Sequence, residues 1–208
     1  MSEFVSILKE RRSANRFVEG VKISRDQLDE ILNLTKYAPS AYNLQHTHYY
    51  VVTDRDLIEK IYEAAYKQYK VKTASAVIFV FGDTKAHLHA ASLNEGMKAL
   101  GILSQEEYDR TVNNTIQFYE SRGEAFQRED ALRNAGLSAM QFMLIAKEKG
   151  WDTCPMHSID EEVLANLLDV PEQLVPVMMI TIGKSATESF RPRGYRKPVN
   201  EFVRYFGE

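Results

Sequence analysis

The amino-acid sequence predicts an α+β fold, in which a small sheet packs against helices, and three observations support that class. The chain has 208 residues, which is enough to bury one sizeable core. The candidate strands are few and unevenly spaced, which argues against a doubly wound nucleotide-binding sheet. Residues 84–149 have a helical pattern throughout. We therefore expect one domain over residues 1–208.

Helices and loops alternate over the first part of the chain. Residues 3–12 predict a helix with one apolar face. Ser24 and Gln27 have the spacing of a capping box, in which each side chain satisfies the other residue's backbone amide, so a second helix begins there. That helix should end before Pro39, because a residue that precedes proline is driven out of the α region. Residues 48–53 then predict a strand.

The next segments predict the core. Asp54 can cap a helix with an apolar face. The run ASAVIFVFGD, residues 74–83, is almost entirely apolar, as expected of a central strand covered on both faces. Ser104 and Glu107 repeat the capping-box spacing at the start of a helix. The most apolar helical segment ends at Gly150, a residue type suited to a helix C-terminus.

The pattern changes after the long helical region. WDTCPMHS, residues 151–158, is irregular or extended, and Asp160 begins a short helix that stops near Pro171. The run LVPVMMITIG, residues 174–183, predicts another buried strand. The tail from Lys184 has no clear period until its last residues.

The overall composition argues against nucleic-acid and membrane partners. The net charge is -3 at pH 7, which does not suit non-specific electrostatic binding to nucleic acid. The longest apolar runs are of strand length, and the N-terminus lacks the apolar core of a signal peptide. Cys154 is the one cysteine, so no intrachain disulfide can form, which fits a reducing compartment. We expect a cytoplasmic protein.

Three polar segments could bind a ligand. RRSANRF, residues 11–17, carries arginines and a serine that suit a phosphate, although a helix end also favours arginine. APSAYNLQ, residues 38–45, includes Asn43 and Gln45, whose amides match a ligand edge with donors and acceptors; a capped turn uses the same residue types. RPRGYRKP, residues 191–198, suits a phosphate or is an ordinary charged tail.

The histidines are candidate metal ligands, and their spacing is a weak signal. His46 and His48 form one H-x-H pair, and His87 and His89 form another. Neither has the second ligand pair of a typical zinc site, and helical residues two apart point to different faces. We expect no metal.

Taken in order, the motifs RRSANRF, APSAYNLQ, GWDTCPMHSID and RPRGYRKP resemble those of the FMN-dependent nitroreductase family. The nearest likeness is to the small bacterial NAD(P)H nitroreductase-like proteins, and it covers about residues 5–205. The resemblance implies a nitroreductase-like fold with a small mixed central sheet packed between helices. It also implies a homodimer that holds tightly bound FMN at the subunit interface.

The resemblance further implies which residues bind the cofactor. The first motif corresponds to phosphate and ribityl contacts, and the second to a segment that passes the flavin mostly from the other subunit. Residues after the long helix correspond to backbone along the flavin face, two lysines to ring or ribityl contacts, and the C-terminal arginines to a phosphate clamp. The implied set is Arg11, Arg12, Ser13, Asn15, Pro39, Ser40, Ala41, Asn43, Gln45, Lys67, Lys70, Pro155, Met156, His157, Ser158, Arg193 and Arg196.

Some positions depart from the family's usual residues. His46 and Thr47 stand where members often have proline and tryptophan. Asn15 stands where a cation is usual, and His157 and Ser158 where many members have Glu-Gly or Gly. These changes alter the polarity around the ring, so redox tuning and substrate choice do not carry over from the family.

The implied function is that of an NAD(P)H-dependent flavin oxidoreductase, which reduces nitroaromatics, quinones or related small acceptors by ping-pong hydride transfer. NAD(P)H is then a transient hydride donor, and no catalytic side chain is required. His157 could donate a proton near the reactive nitrogen, or serve only in packing. Two alternatives remain. One is a flavoprotein of this fold with other chemistry, such as dehydrogenation, dehalogenation or flavin fragmentation, which residues 104–127 would decide by capping the pocket. The other is a non-catalytic flavin-binding protein.

Overall fold

A computed structural model describes residues 3–157, 159–186 and 193–207. The helices of these residues are α1 (Glu3–Glu10), α2 (Arg25–Thr35), α3 (Arg55–Ala64), α4 (Tyr69–Lys72), α5 (Ala90–Ala99), α6 (Gln105–Glu148), α7 (Glu161–Leu168) and α8 (Val199–Phe202). The strands are β1 (Thr47–Val52), β2 (Ala76–Asp83), β3 (Asp152–Met156) and β4 (Leu174–Gly183). The predicted α+β class is confirmed.

The strands form one sheet with the order β1-β2-β4-β3. All three ladders between neighbouring strands are antiparallel. Within the described residues, the four-stranded sheet is therefore antiparallel and not mixed as expected; an isolated parallel bridge, between Ser13 and Thr153, lies outside it at the β3 edge. Every residue of the central strand β2 is buried, as its unbroken apolar run predicted.

Helices cover both faces of the sheet. Successive residues of a strand point to opposite faces, so β2 contributes to two apolar layers. Val77, Phe79 and Phe81 pack in one layer with residues of α3. Ile78 and Val80 pack in the other with residues of α2 and α6. The sheet is therefore packed between helices, as expected.

The helix boundaries follow local capping signals. Both predicted capping boxes form, at the starts of α2 and α6. Asp54 and Asp160 cap α3 and α7 through their carboxylates. Gly150 follows α6 with a φ of 73°, a left-handed conformation that glycine adopts readily.

The long helix α6 contains a break that the sequence pattern did not predict. Gly123 has φ 76° and ψ 178°, so two helical segments meet at a kink there. The helical region expected over residues 84–149 is also interrupted at residues 100–104. None of the described helices is long and apolar enough to cross a membrane.

Candidate functional site

The loop of residues 11–17 lies against the edge of the sheet. Ser13 bridges Thr153, and the amide of Ala14 donates to the carbonyl of Thr153 at 3.1 Å. Arg193, in the C-terminal tail, donates to the carbonyl of Arg11 at 3.3 Å. The tail therefore folds back onto this loop, which brings the two arginine-containing motifs of the sequence together.

Arg11 provides a buried donor that no described group satisfies. Its Nη1 atom is buried and has no hydrogen-bond partner within the described residues. Burial lowers the pKa of Arg11, and the guanidinium groups of Arg193 and Arg196 lower it further. An anion at this position would satisfy the buried donor and offset the repulsion among the three cations.

The end of β3 continues from this cluster. Pro155 and Met156 are half-buried and follow directly on the part of β3 that is bridged to Ser13. His157 comes next and is exposed. Ser158 lies outside the residues that the structure describes. The backbone predicted to run along a flavin therefore begins beside the arginine cluster.

Helix α4 and its C-cap residue, Thr73, contact the C-terminal end of the loop. The guanidinium carbon of Arg16 lies 4.7 Å from the ring centroid of Tyr69. The amide of Phe17 donates to Thr73 Oγ1 at 3.2 Å. These contacts place α4, which carries Lys70, next to the loop.

The remaining predicted residues of this region have less direct evidence for a ligand role. Lys67 has a φ of 53°, and its Nζ forms an ion pair with Glu63 Oε2 at 3.2 Å. Arg12 and Asn15 belong to the loop that carries Arg11 and Ser13.

Residues 39–45 form a strained turn that α6 holds in place. Tyr42, Asn43 and Gln45 have φ values of 52°, 55° and 52°, which residues other than glycine seldom adopt. The amide of Ala41 donates to Asn134 Oδ1 at 2.8 Å. Strain of this kind is typical of functional sites, because the surrounding structure must impose it.

Two polar side chains of this turn have different surroundings. Ser40 Oγ accepts a hydrogen bond from the amide of Gln45 at 3.0 Å, so the serine closes the turn, as the alternative interpretation of this motif required. Asn43 is exposed, and the exposed amide of Gln45 donates only within the turn, to the carbonyl of Asn43 at 3.4 Å. A cavity of about 270 Å³ borders Pro39, Ser40 and Gln45.

The contacts assemble the predicted residues into two groups. The first comprises the loop of residues 11–17, the end of β3, α4 and the tail from Arg193. The second comprises residues 39–45, which are anchored to α6. Two larger cavities, of about 750 and 760 Å³, border other surfaces, around residues 19–23 and residues 83–89.

Sequence reasoning missed a buried polar network behind the turn. Asp130 accepts hydrogen bonds from the Tyr119 hydroxyl and from Arg133, each at 2.6 Å. Asn134 Nδ2 donates to the backbone carbonyl of Asp130 at 2.7 Å, while its Oδ1 holds Ala41. Ser138 bonds the Tyr49 hydroxyl at 2.8 Å. The available signal was the four-residue spacing of these α6 residues, which places three polar side chains on a face that packs inward.

His46 lies against this network. It is 2% exposed, and its Nε2 is 3.6 Å from Asp130 Oδ2. Neither ring nitrogen has a hydrogen-bond partner in the described part of the chain. Burial lowers the pKa of His46, which keeps the imidazole neutral at pH 7. Sequence spacing alone gave no indication of this environment.

The outer histidines flank a buried carboxylate. His48 Nε2 and His89 Nε2 lie 3.9 and 3.8 Å from Asp83 Oδ2. Among the residues described, no group of three or more His, Cys, Asp or Glu side chains is arranged to hold a metal ion.

The structure combines a small sheet between helices, an arginine cluster at the β3 edge and a strained polar turn. This combination is the one expected of the nitroreductase-like flavoproteins. Comparison with known proteins gives the family. The model of the nitroreductase family matches residues 8–184. The chain therefore belongs to the nitroreductase family, and the resemblance inferred from its motifs is confirmed.

Individual relatives agree along nearly the whole chain. The Bacillus subtilis protein MhqN, named as an NAD(P)H nitroreductase, is 56% identical over 99% of this chain and 100% of its own. A CLA biosynthesis enone reductase of Lactiplantibacillus plantarum is 32% identical over 93% of this chain and 91% of its own. A solved nitroreductase structure in complex with FMN, from Exiguobacterium sibiricum, has a TM-score of 0.90 at 31% identity, covering 99% and 98% of the two chains. The predicted enzyme class, an FMN-dependent NAD(P)H oxidoreductase, is confirmed at the level of the family.

Proposed function

We propose that the chain, as one domain over residues 1–208, forms a cytoplasmic homodimer that holds FMN at its subunit interface. It would use NAD(P)H to reduce nitroaromatics, quinones or related small acceptors. The reaction would be ping-pong, because the nicotinamide and the acceptor would occupy one pocket in turn.

The observation that carries this proposal is the buried, unpartnered Nη1 of Arg11 beside two further guanidinium groups. The phosphate monoester of FMN would supply both the missing acceptor and the counter-charge. The cluster also adjoins the end of β3, where Pro155 and Met156 are expected to pass the flavin. The residues present therefore fit the cofactor.

When bound, FMN supplies the redox chemistry, with hydride from NAD(P)H passing on to the acceptor. Arg11, Arg193 and Arg196 would hold and neutralise the phosphate. Asn43 and Gln45 would orient the ring, because their exposed amides carry both donors and acceptors. His157 is exposed directly after β3 and remains the candidate proton donor of this segment.

An apolar surface formed by α2, the turn that follows it and α6 supports the docking of a second copy of the chain. Leu34, Tyr37, Leu137 and Met140 are 41%, 72%, 49% and 39% exposed. The two helices are joined there, since the amide of Gln141 donates to the carbonyl of Leu34 at 3.0 Å. Exposed apolar patches of this kind are typical of interfaces. Because α6 also anchors residues 39–45, a partner docked here would lie close to that turn.

Reduction of an α,β-unsaturated ketone is a second candidate function. The relative named as an enone reductase covers nearly the whole chain at 32% identity. Both candidate reactions would use FMN and NAD(P)H in this chain, so they would differ only in the acceptor. Parallel assays with a quinone, a nitroaromatic and an enone would separate them by kcat/KM.

The phosphate assignment predicts that Arg196→Ala weakens FMN binding. Loss of one charge-assisted contact corresponds to a weakening of roughly tenfold to hundredfold. The measurement is the ratio of flavin to protein after gel filtration. Arg204→Ala, an exposed arginine farther along the same tail, serves as the control and should keep its flavin. An unchanged ratio in Arg196→Ala would remove Arg196 from the site.

Anaerobic mixing with NADH or NADPH tests the enzymatic role directly. Loss of the flavin's visible absorbance requires hydride transfer, so bleaching distinguishes an oxidoreductase from a protein that only binds flavin. A flavin that stays oxidised with both nicotinamides would contradict the proposed function.

A further inference from the structure

Aromatic rings adjoin the strained turn, and of these Tyr42 is exposed whereas Phe118 and Phe126 are half-buried. Tyr42 is exposed, and its ring centroid lies 5.5 Å from that of Phe118 on α6. Phe118 meets Phe126 edge-on, with the centroids 5.6 Å apart and the planes at 82°. These three rings form a surface that we call the aromatic wall. Tyr42 links it to the turn, because it lies between Ala41 and Asn43.

Arg122 lies over the aromatic wall. Its guanidinium carbon is 4.4 Å from the centroid of Phe118 and 4.9 Å from that of Phe126. Stacking against rings stabilises the cation and fixes its plane, while the N–H groups along the edge of that plane stay available. The arrangement presents an oriented set of donors next to apolar surface.

The charge of Arg122 has no counter-ion in the described part of the chain. No carboxylate there lies within ion-pair distance of it, whereas Arg128, exposed on the same helix, pairs with Glu161 at 3.2 Å. Gly123 follows Arg122 directly and breaks α6. The kink therefore sets the direction in which the helix presents Arg122. The chain is acidic overall, so its net charge does not account for a cation at this position.

We propose that Arg122 recognises an anionic group on a ring-bearing ligand of the active site, and that the aromatic wall contacts the ring. This rests on the proposed function, because residues 39–45 are expected to border the flavin. The anionic group has two sources: a carboxylate on an aromatic acceptor, or the 2′-phosphate of NADPH. Either group offers paired oxygens to a guanidinium edge, which is the geometry that arginine binds best.

The first arm of the test measures binding with matched probes. 4-Nitrobenzoate and 4-nitrobenzamide have nearly the same shape and differ in charge. Calorimetric titration of the FMN-loaded, oxidised dimer would give both dissociation constants without turnover. Arg122→Gln should weaken 4-nitrobenzoate roughly tenfold or more, with 4-nitrobenzamide unchanged, if the acceptor carries the anion. Arg128→Gln is the matched control and should behave like wild type.

The second arm measures the nicotinamide. With a neutral quinone as acceptor, Arg122→Gln should raise the KM for NADPH roughly tenfold and leave that for NADH unchanged, if the anion is the 2′-phosphate. A selective loss in either arm supports the assignment and names the source of the anion. Equal effects on charged and neutral ligands, or no effect in either arm, would overturn it. The assignment would also be overturned if the wild-type protein bound 4-nitrobenzoate no more tightly than 4-nitrobenzamide and had a KM for NADPH no lower than that for NADH.

Failure of the proposed function has a different outcome. A wild-type protein that retains no FMN and oxidises neither nicotinamide would contradict the oxidoreductase itself. A wild-type protein that does both, with charge discrimination unaffected by Arg122→Gln, would contradict only the role of Arg122.

Discussion

Buried polar residues without partners mark the positions where single side chains matter most. Arg11 Nη1 and both ring nitrogens of His46 are such groups. The unpartnered donor of Arg11 lies beside two other cations and fits an external anion. His46 faces the interior, between the turn of residues 39–45 and Asp130. We therefore expect protonation of His46 to affect the stability of the fold rather than ligand binding.

His46 should make the fold sensitive to mild acid. Its folded-state pKa lies below the ordinary value of 6.5, because burial disfavours the charged imidazole. Above the ordinary value both states are neutral and the fold is fully stable. As the pH falls below that value the unfolded chain takes up the proton first, so stability decreases until the folded pKa is passed. Each unit of depression corresponds to about 1.4 kcal/mol.

Urea unfolding at pH 7.5 and pH 5.5, with equal flavin content, tests this expectation. The free energy of unfolding should decrease less for His46→Gln than for wild type over that interval. Some decrease should remain, because burial also lowers the pKa of His87. His48→Gln, at a position where the side chain is 48% exposed, should follow wild type. Equal decreases in wild type and His46→Gln would exclude His46 as a source of the pH dependence.

A short motif shows which functional groups a segment carries, but it does not show which distant residues will surround them in the fold. Asn43 and Gln45 were candidates because of their functional groups, and they are exposed as a ligand contact requires. Ser40 had two interpretations that use the same hydroxyl, and only the turn geometry shows that Gln45 occupies it. Burial of His46 depends on residues more than 80 positions away, which no short motif contains.

At the scale of elements, one close approach fixes how α6 lies on β2. A Cβ built at Gly82 would lie 2.8 Å from the carbonyl oxygen of Ala131 and 2.9 Å from its carbonyl carbon. These are backbone atoms, which cannot give way unless the helix moves. Glycine is therefore required at this crossing. A shift of α6 would also disturb the second apolar layer, to which α6 contributes, and the anchor of residues 39–45.

Gly82→Ala should therefore destabilise the protein. Overpacking of this kind costs about 1–3 kcal/mol, measurable as a lower midpoint of urea unfolding. Gly96→Ala is the control, because nothing lies within 4 Å of a Cβ there and the residue is inside α5. That variant should be neutral or more stable by about 0.5–1 kcal/mol, since alanine favours helix. A wild-type midpoint for Gly82→Ala would show that α6 can shift without cost.

The secondary-structure elements that local signals determine could be predicted from the sequence. Capping boxes and aspartate caps act within four residues, so the starts of α2, α3, α6 and α7 could be predicted. The central strands β2 and β4 were evident from apolar runs, and residues 48–53 predicted β1. Strand β3 was predicted only as irregular or extended, because its sequence, DTCPM, is not an apolar run. The kink at Gly123 was not predicted, because a glycine within a helical pattern is usually tolerated and only its φ of 76° reveals the break.

On the scale of the whole molecule, the candidate site is divided. The arginine cluster lies at the β3 edge, and residues 39–45 are anchored to α6. The order of the motifs in the sequence predicted both groups, but strand order and the return of the tail depend on contacts between distant residues. In the proposed homodimer, each subunit would contribute one of the two groups to each site.

This arrangement predicts that Leu137→Glu separates the subunits. Leu137 is 49% exposed and lies one helical turn beyond Asn134, which anchors the turn of residues 39–45. A carboxylate buried without a partner costs several kcal/mol, roughly, and a symmetric dimer incurs that cost twice. Light scattering coupled to gel filtration should change from twice the chain mass to the chain mass. The flavin content should decrease together with the dimer, because each site would lose half of its residues.

Val163→Glu, on α7, is the matched control, since Val163 is 39% exposed and α7 packs through Leu164 in the apolar layer on the other face of the sheet. It should remain a flavin-bound dimer. Two results would contradict the divided site in different ways. Leu137→Glu that stays dimeric would place the interface elsewhere, whereas a monomer that retains its FMN would show that one chain holds the cofactor alone. Folding of the variant is checked by its cooperative urea transition, because a surface glutamate should leave the core of α6 intact.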